Sequence, residues 1–371
     1  MVAGCRGCGS PDVERVVDLG EQPGADHFPA TGNPAADPRW PLELWLCRGC
    51  TLVQLGPVEP QLPEPPLAIE SATSRAHTVR SVDTILRRHP ELADATVYEF
   101  ASHHGGSWLD HLRAAGCRPV TDIDQAALVV DVHGLAHEPH LGKALRARAE
   151  RLAPDGLLVL EFHHLLPLVQ GNQFDTIRHG HWSYLSVSTL RALAAPLGLA
   201  VVHVDDVPLF GGSLQVTLRR LPAGDDTVQA VLDAERAAGL ADPDTLRALH
   251  DSATACATAL HERLAAHRAA GTTVLGYGAP SKAPVLLDLA GVGPDLLPFT
   301  VDAAIAKHGR RIPGCGVPIR PVDALRAARP AVVLVLTWDI ADEVITQLEA
   351  DGGWGASYLV PLPLPHLLSR R

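Results

Sequence analysis

The sequence predicts a mixed α/β protein of several domains: a zinc-knuckle module, then two doubly wound, Rossmann-like α/β domains joined by a helical spacer. Three observations predict it. Two identical C-R-G-C tetrads place four cysteines at metal-ligand spacing near the N-terminus. The run T-V-Y-E-F-A, 96–101, passes through S-H-H-G-G-S into an amphipathic pattern with Trp108, Leu109 and Leu112. That is the strand, glycine turn and helix that open a doubly wound domain. A second opening of the same kind, T-V-L-G-Y-G-A-P-S-K, ends at Lys282.

The 371 residues suit two or three domains, and 46% hydrophobic content suffices for buried cores. A net charge of -11 argues against a general binder of nucleic acid or anionic membrane. Uninterrupted apolar runs long enough to span a bilayer are missing, and M-V-A-G-C-R-G-C lacks a secretory core, so a soluble cytoplasmic protein is expected.

Residues 1–58 form the first module. Cys5 and Cys8, then Cys47 and Cys50, make two knuckles that complete a tetrahedral set for zinc. Four thiolates leave no open position, so the metal is structural. The segment between them, rich in Pro, Gly and Asp, reads as too weakly apolar to hold itself together. Cys117, Cys256 and Cys315 read as small core residues. Residues 59–70 read as a connector, and 74–89 as a helix with Val79, Val82 and Ile85 on its apolar face.

The first α/β domain, 71–222, has expected strands at 96–101, 127–132, 156–162, 200–207 and 214–219, with a helix over 139–152. The run C-R-P-V-T-D-I-D, 117–124, leads almost directly into the strand at 127. Residues 223–269 read as a helical pair, with Leu249, Ala253, Cys256, Leu260 and Leu264 on one face. The last domain, 270–371, has expected strands at 272–275, 299–302, 331–336 and 358–360. Its turn, with Gly276, Tyr277, Gly278 and Lys282, suits a phosphate at a helix start.

Histidines mark the candidate site. Of 19, eight follow strands of the first sheet or sit in the loop 174–186: His103, His104, His133, His137, His163, His164, His179 and His181. Ligands of doubly wound sheets bind at such strand ends. An extended loop would put His179 and His181 on one side of the chain, and an irregular one would let both face a cleft. Neutral imidazoles there shuttle protons or bind a metal.

Further motifs are L-A-P-D-G-L-L-V-L-E (152–161), F-D-T-I…S-Y-L-S (174–186), G-G-S-L (211–214), G-Y-G-A-x-S-K (276–282), D-x3-A-K-x-G (302–309), P-G-C-G-V-P-I (313–319) and W-D-I-A-D-E (338–343). With L-A-H-E-P (135–139) and the two knuckles, they resemble the sugar C-methyltransferases over nearly the whole chain. The resemblance implies a first domain of the class I methyltransferase type. It implies S-adenosylmethionine over its sheet and a nucleotide-linked keto-deoxysugar as small-molecule substrate, in antibiotic biosynthesis. The substrate is enolised beside its ketone before it takes a methyl group. Glu99, Ala101, Gly105 and Asp122 fall at cofactor positions. His181 falls at the base and His137 at its orienting partner, with His179 and Arg178 beside them. Gly276, Tyr277, Gly278 and Lys282 fall where the last domain meets the substrate.

Departures concentrate on the chemistry. The first-strand motif E-I-G-S-N-D-G is here E-F-A-S-H-H-G, with Ala101 in place of the glycine that lets backbone approach the cofactor. Against the family's pattern a βα unit is missing or collapsed before the strand at 127, so Asp122 or Asp124 could stand in for the ribose-gripping acid but the adenine wall would be gone. The loop motif F-D-T-I-Y-H-E-H is here F-D-T-I-R-H-G-H, and the tyrosine-rich stretch before the domain is A-I-E-S. Two alternatives follow. One is an enzyme independent of S-adenosylmethionine, with a second metal ion held by His103, His104, His133, His163 and His164. The other is a non-catalytic partner of an active paralogue. Arg178 could bind a phosphate or carboxylate of a changed substrate.

Overall fold

The computed structural model describes residues 4–33, 35–58, 70–101, 107–121, 125–220, 224–350 and 352–368. The segment between the cysteine tetrads corrects the first expectation. It forms the long antiparallel pair β1 (Val13–Pro23) and β2 (Arg39–Cys47), with β3 (Val53–Leu55) beside β2. The period-2 run P-L-E-L-W-L buries Leu42, Leu44 and Leu46 and turns Glu43 and Trp45 outward, as a one-sided sheet requires. The connector expected at 59–69 lies outside the described residues.

Ser71 caps α1 (Ala72–Arg88) by accepting from the Ser74 N–H. The buried face of α1 is not the one expected. Val82 and Ile85 are inside, but Val79 is 41% exposed and His77, Thr78 and Ser81 take the buried positions. The helix lies over the mouth of a sheet, where polar side chains find partners.

That sheet is built from β4 (Thr96–Phe100), α2 (Leu109–Ala114), β5 (Arg118–Pro119), β6 (Ala126–Val132), α3 (Leu141–Arg151), β7 (Leu152–His163), α4 (Leu165–Gln170), β8 (Ser183–Tyr184), α5 (Val187–Ala194), β9 (Ala200–Val207) and β10 (Ser213–Arg219). Its order is β5-β4-β6-β7-β10-β9, with β8 excluded. The first four run parallel, and β10 is antiparallel to both neighbours. The chain leaves β4 toward one edge and β6 toward the other, so the topological switch point lies between their carboxyl ends. The collapsed second unit survives as the two-residue edge strand β5.

The helical pair is α6 (Asp226–Ala237) and α7 (Pro243–Ala269). They part company: Val228 and Leu232 of α6 join the core of the first α/β sheet, whereas α7 packs into the core shared by β1 and the last domain. That domain holds β11 (Val274–Tyr277), α8 (Ala283–Leu289), β12 (Thr300–Val301), β13 (Ile319–Arg320), α9 (Val322–Ala328), β14 (Val332–Val335), α10 (Ala341–Ala350), β15 (Ser357–Val360) and β16 (His366–Leu368). Its order is β13-β12-β11-β14-β15-β16, parallel except for β16.

Two features bind the modules together. Strand β8 pairs with β3, matching Tyr184 to Val53, so the histidine loop ends as the fourth strand of the N-terminal sheet. The loop between β1 and β2 lies on the last domain, where Arg39 pairs with Asp288, Arg311 with Asp37, and Thr31 N–H donates to the Gly309 carbonyl. No described helix is long and apolar enough to cross a membrane.

Candidate functional site

The sulfurs of Cys5, Cys8, Cys47 and Cys50 all lie within 4.8 Å of one another. Cys5 and Cys50 are 3.5 Å apart, and Cys8 and Cys47 3.7 Å. Zinc–sulfur bonds of about 2.3 Å place tetrahedral sulfurs about 3.8 Å apart, so the set fits zinc. The backbone N–H of Gly7 donates to the Cys5 sulfur at 3.3 Å, as a knuckle requires. The site is a structural zinc site.

The histidine loop turns rather than running extended. Gly180 has φ +91°, a left-handed conformation, and this reverses the chain between the two histidines. His179 is 2% exposed and points back to the N-terminal sheet, its Nε2 3.3 Å from the Pro41 carbonyl oxygen. It stands apart from His181. His181 is half-buried and meets His137, with ring centroids 4.6 Å apart, edge to face. The same turn presents the Gly180 carbonyl to His137 Nδ1 at 2.9 Å.

Arg178 is only 6% exposed along its side chain and is already paired. Its guanidinium bonds Asp26 Oδ2 at 3.1 Å and His181 Nε2 at 3.0 Å, while its backbone N–H donates to Tyr184 Oη at 3.2 Å. Ser281 donates its hydroxyl to the other oxygen of Asp26. Residues from all three modules therefore converge here. Asp26, Tyr184 and Ser281 escaped the sequence reading. Tyr184 and Ser281 lie in quoted motifs, but Asp26 carries no local signal.

At the mouth of the first sheet, Glu161 is 1% exposed. One carboxylate oxygen bonds His133 Nε2 at 3.1 Å and the other bonds His77 Nε2 at 2.8 Å. Burial opposes the charge, but the two imidazole hydrogen bonds outweigh it and hold the carboxyl at about 2. Of the proposed metal ligands, the described ones, His133, His163 and His164, each have another partner. His163 bonds Gln173 at 2.9 Å and is pushed down to about 4 by burial. His164 turns to the other side of the sheet and bonds Glu235 at 2.8 Å, which also accepts from the first N–H groups of α5. Among the described residues the only metal-ligand group is the four cysteines. His103 and His104 lie outside those residues, as do Gly105, Asp122 and Asp124.

The described residues do not complete a site for S-adenosylmethionine. The switch point is present and Glu99 stands beside it. Yet both Glu99 oxygens are engaged, by the Ser107 hydroxyl and by the Trp108 N–H at 2.7 Å. Ala101 is exposed at the strand end, and β5 offers only Arg118 and Pro119, both exposed. The acids expected at the ribose, Asp122 and Asp124, lie outside the described residues.

In the last domain Gly278 has φ +93°, and a Cβ there would meet Thr337 Cγ2 at 2.7 Å. Gly276 and Tyr277 belong to β11, and Tyr277 packs in the core with Val301 and Val335. The turn's Ala279 N–H, which could have met a phosphate, donates to Asp302 at 2.7 Å. Lys282 pairs with Asp339 and lies 3.9 Å above the Trp338 ring. Trp338 Nε1 donates to Asp175 Oδ2 at 2.7 Å, and the other oxygen of this fully buried acid has no hydrogen-bond partner among the described residues. Burial raises Asp175 to about 6 against the pull of Lys282 and Trp338.

The fold and the cysteine site define a zinc-bearing α/β protein with a methyltransferase-type sheet. A C-methyltransferase C-terminal domain model matches residues 208–363, and a zinc binding domain model matches residues 5–61. The C-methyltransferase NovU of Streptomyces niveus is 31% identical over 407 residues, covering 98% of this chain and 96% of that protein. The chain belongs to the C-methyltransferase family, and it is a transferase. Solved structures are more distant. A 1,6-didemethyltoxoflavin-N1-methyltransferase from Burkholderia thailandensis is 15% identical, covers 47% of this chain and 97% of its own, and has a TM-score of 0.30. A magnesium protoporphyrin IX methyltransferase from Synechocystis is 11% identical, covers 39% and 84%, and has a TM-score of 0.29.

Proposed function

We propose that the three-module junction enolises a small ketone substrate, a nucleotide-linked keto sugar, as the chemical half of a C-methylation. One observation carries this: two imidazoles in edge contact, His137 and His181, held by opposite kinds of partner. A carbonyl only accepts, so His137 Nδ1 carries its proton and Nε2 is the basic nitrogen. A guanidinium only donates, so His181 Nε2 is an acceptor and its proton sits on Nδ1.

A proton alpha to a ketone needs a positioned base, and the enolate oxygen needs a donor. His137 Nε2 takes the proton. The C–H electron pair forms the carbon–carbon double bond, and the carbonyl π pair moves to oxygen, which accepts a hydrogen bond from His181 Nδ1–H. The resemblance alone suggests the reverse, with His181 as base; the hydrogen-bond partners favour this order.

Incubation of a nucleotide-linked keto-deoxysugar in D2O, without any methyl donor, tests the reading by proton NMR. The alpha C–H signal should fade with the wild-type protein. His137→Ala should slow the exchange by about 10²–10⁴-fold, the usual worth of a general base. Absence of wild-type exchange sinks the proposal.

A further inference from the structure

We propose that Ser281, Asp26 and Arg178 form an interdomain clasp that locks His181 as the neutral, Nδ1-protonated tautomer, making it a hydrogen-bond donor rather than a base. This deepens the enolisation reading above and rests on it for its role in the reaction.

Each link comes from a different module. Ser281 belongs to the turn before α8, Asp26 to the loop between β1 and β2, and Arg178 to the histidine loop. Ser281 Oγ donates to one oxygen of Asp26, and the other oxygen takes Arg178 NH1 at 3.1 Å. Arg178 NH2 then reaches His181 Nε2 at 3.0 Å. The guanidinium stays charged at any working pH and has five donors and no acceptor. It can sit at that distance only if His181 Nε2 offers a lone pair. A second proton on the ring would meet the guanidinium head on, so the contact also disfavours the doubly charged arrangement.

Geometry fixes the cation in place. The Arg178 side chain is 6% exposed, and its own N–H is tied to Tyr184 Oη, a residue of β8 in the N-terminal sheet. Arg178 cannot swing away without breaking the Asp26 pair. The anion that balances it is Asp26, which the protein itself supplies. Arg178 is a positioning residue: it acts through His181. Assembly of the last domain onto the loop, through Ser281 and Asp26, completes the clasp.

Nitrogen-15 NMR of the histidine side chains of the full-length, zinc-loaded protein reads the tautomer directly. In the wild type at neutral pH, His181, assigned by its loss in His181→Gln, should show a bare Nε2 and a protonated Nδ1. Arg178→Met should shift its tautomer ratio about tenfold toward Nε2–H, the effect of one charge-assisted hydrogen bond. Arg178→Lys, which keeps a donor, should hold the wild-type tautomer. A wild-type His181 that is protonated at Nε2, or doubly protonated, overturns the clasp whatever the variants do, so a misfolded variant leaves a decisive measurement. An unchanged tautomer in a folded Arg178→Met protein overturns it too. The two proposals fail separately. The expected tautomer without substrate exchange refutes enolisation, and exchange with the wrong tautomer refutes the clasp.

Discussion

Glu161 and Asp175 are both buried acids, and their surroundings drive them in opposite directions. Glu161 sits between His77 and His133 and is held at about 2, whereas an unfolded glutamate lies near about 4.3. Its carboxylate therefore contributes stability that is present above the unfolded value and lost as pH falls toward 2. Glu161→Gln should cost about 3 kcal/mol at pH 7, with the gap from wild type closing below about pH 4, read by urea unfolding at each pH. Asp175 runs the other way. Burial raises it to about 6, so its contribution is present below about 3.9 and lost as pH rises through 6. Asp175→Asn keeps an oxygen for Trp338 and should be the more stable protein at pH 8, by about 1–3 kcal/mol, and no better at pH 4. Equal stability at pH 8 would show that the carboxylate is not carrying an unfavourable charge.

At the scale of elements, the zinc module holds more than itself. Strand β3 begins three residues after Cys50 and pairs with β8, the end of the histidine loop. A structural zinc in a small module contributes on the order of 10 kcal/mol to its folding. Removal of zinc by a chelator, or Cys8→Ser, should therefore disturb His137 and His181 as well as the N-terminal sheet, seen as loss of their dispersed ring signals by NMR. Ring signals that stay put while the sheet melts would show that β8 is held from elsewhere. The sequence made the longer elements legible because their apolar runs are continuous: β6, β7 and β9 lie within a few residues of their expected bounds, and the expected helical pair is α6 and α7. Two-residue strands such as β5, β8 and β13 exist only through their neighbours, so no local pattern announces them. β1 and β2 were hidden by composition. Their Pro, Gly and Asp lie mostly in the connecting loop, while the alternating Val and Leu of the strands carry the sheet.

For the whole molecule, one apolar core runs through β1 and β2, Leu165, Phe174 and Tyr184 of the histidine loop region, α7, and the last domain, whose members include Leu286, Val332 and Leu359. This core joins the N-terminal sheet to the last one, whereas a second core around Leu275, Val301 and Tyr358 lies within the last sheet and its helices. A chain ending at residue 222 would leave Leu42, Phe174 and their neighbours uncovered. Such a fragment should bind a hydrophobic dye and melt without a cooperative transition; a sharp melt would show that the first two modules stand alone. The candidate site was legible to the same degree. His137 and His181 were named from sequence and do meet, whereas His179 and His164 were named with them and point elsewhere. Spacing along the chain places residues at a strand end but does not say which face they leave by. Asp26 was invisible because its partners, Arg178 and Ser281, are 152 and 255 residues away.

The turn at Gly180 has a consequence for how this protein can change. The resemblance puts a glutamate at this position in related enzymes. Here the backbone stands at φ +91°, and the Gly180 carbonyl is the partner of His137. A lone Gly180→Glu substitution would have to strain the main chain by about 1 kcal/mol or more, or flip the turn and drop His137. Space is not the obstacle, since a Cβ there would meet only Arg178 NH1 at 3.9 Å. The side chain at 180 and the partner of His137 are therefore coupled through one backbone angle, and a change at the first is felt at the second.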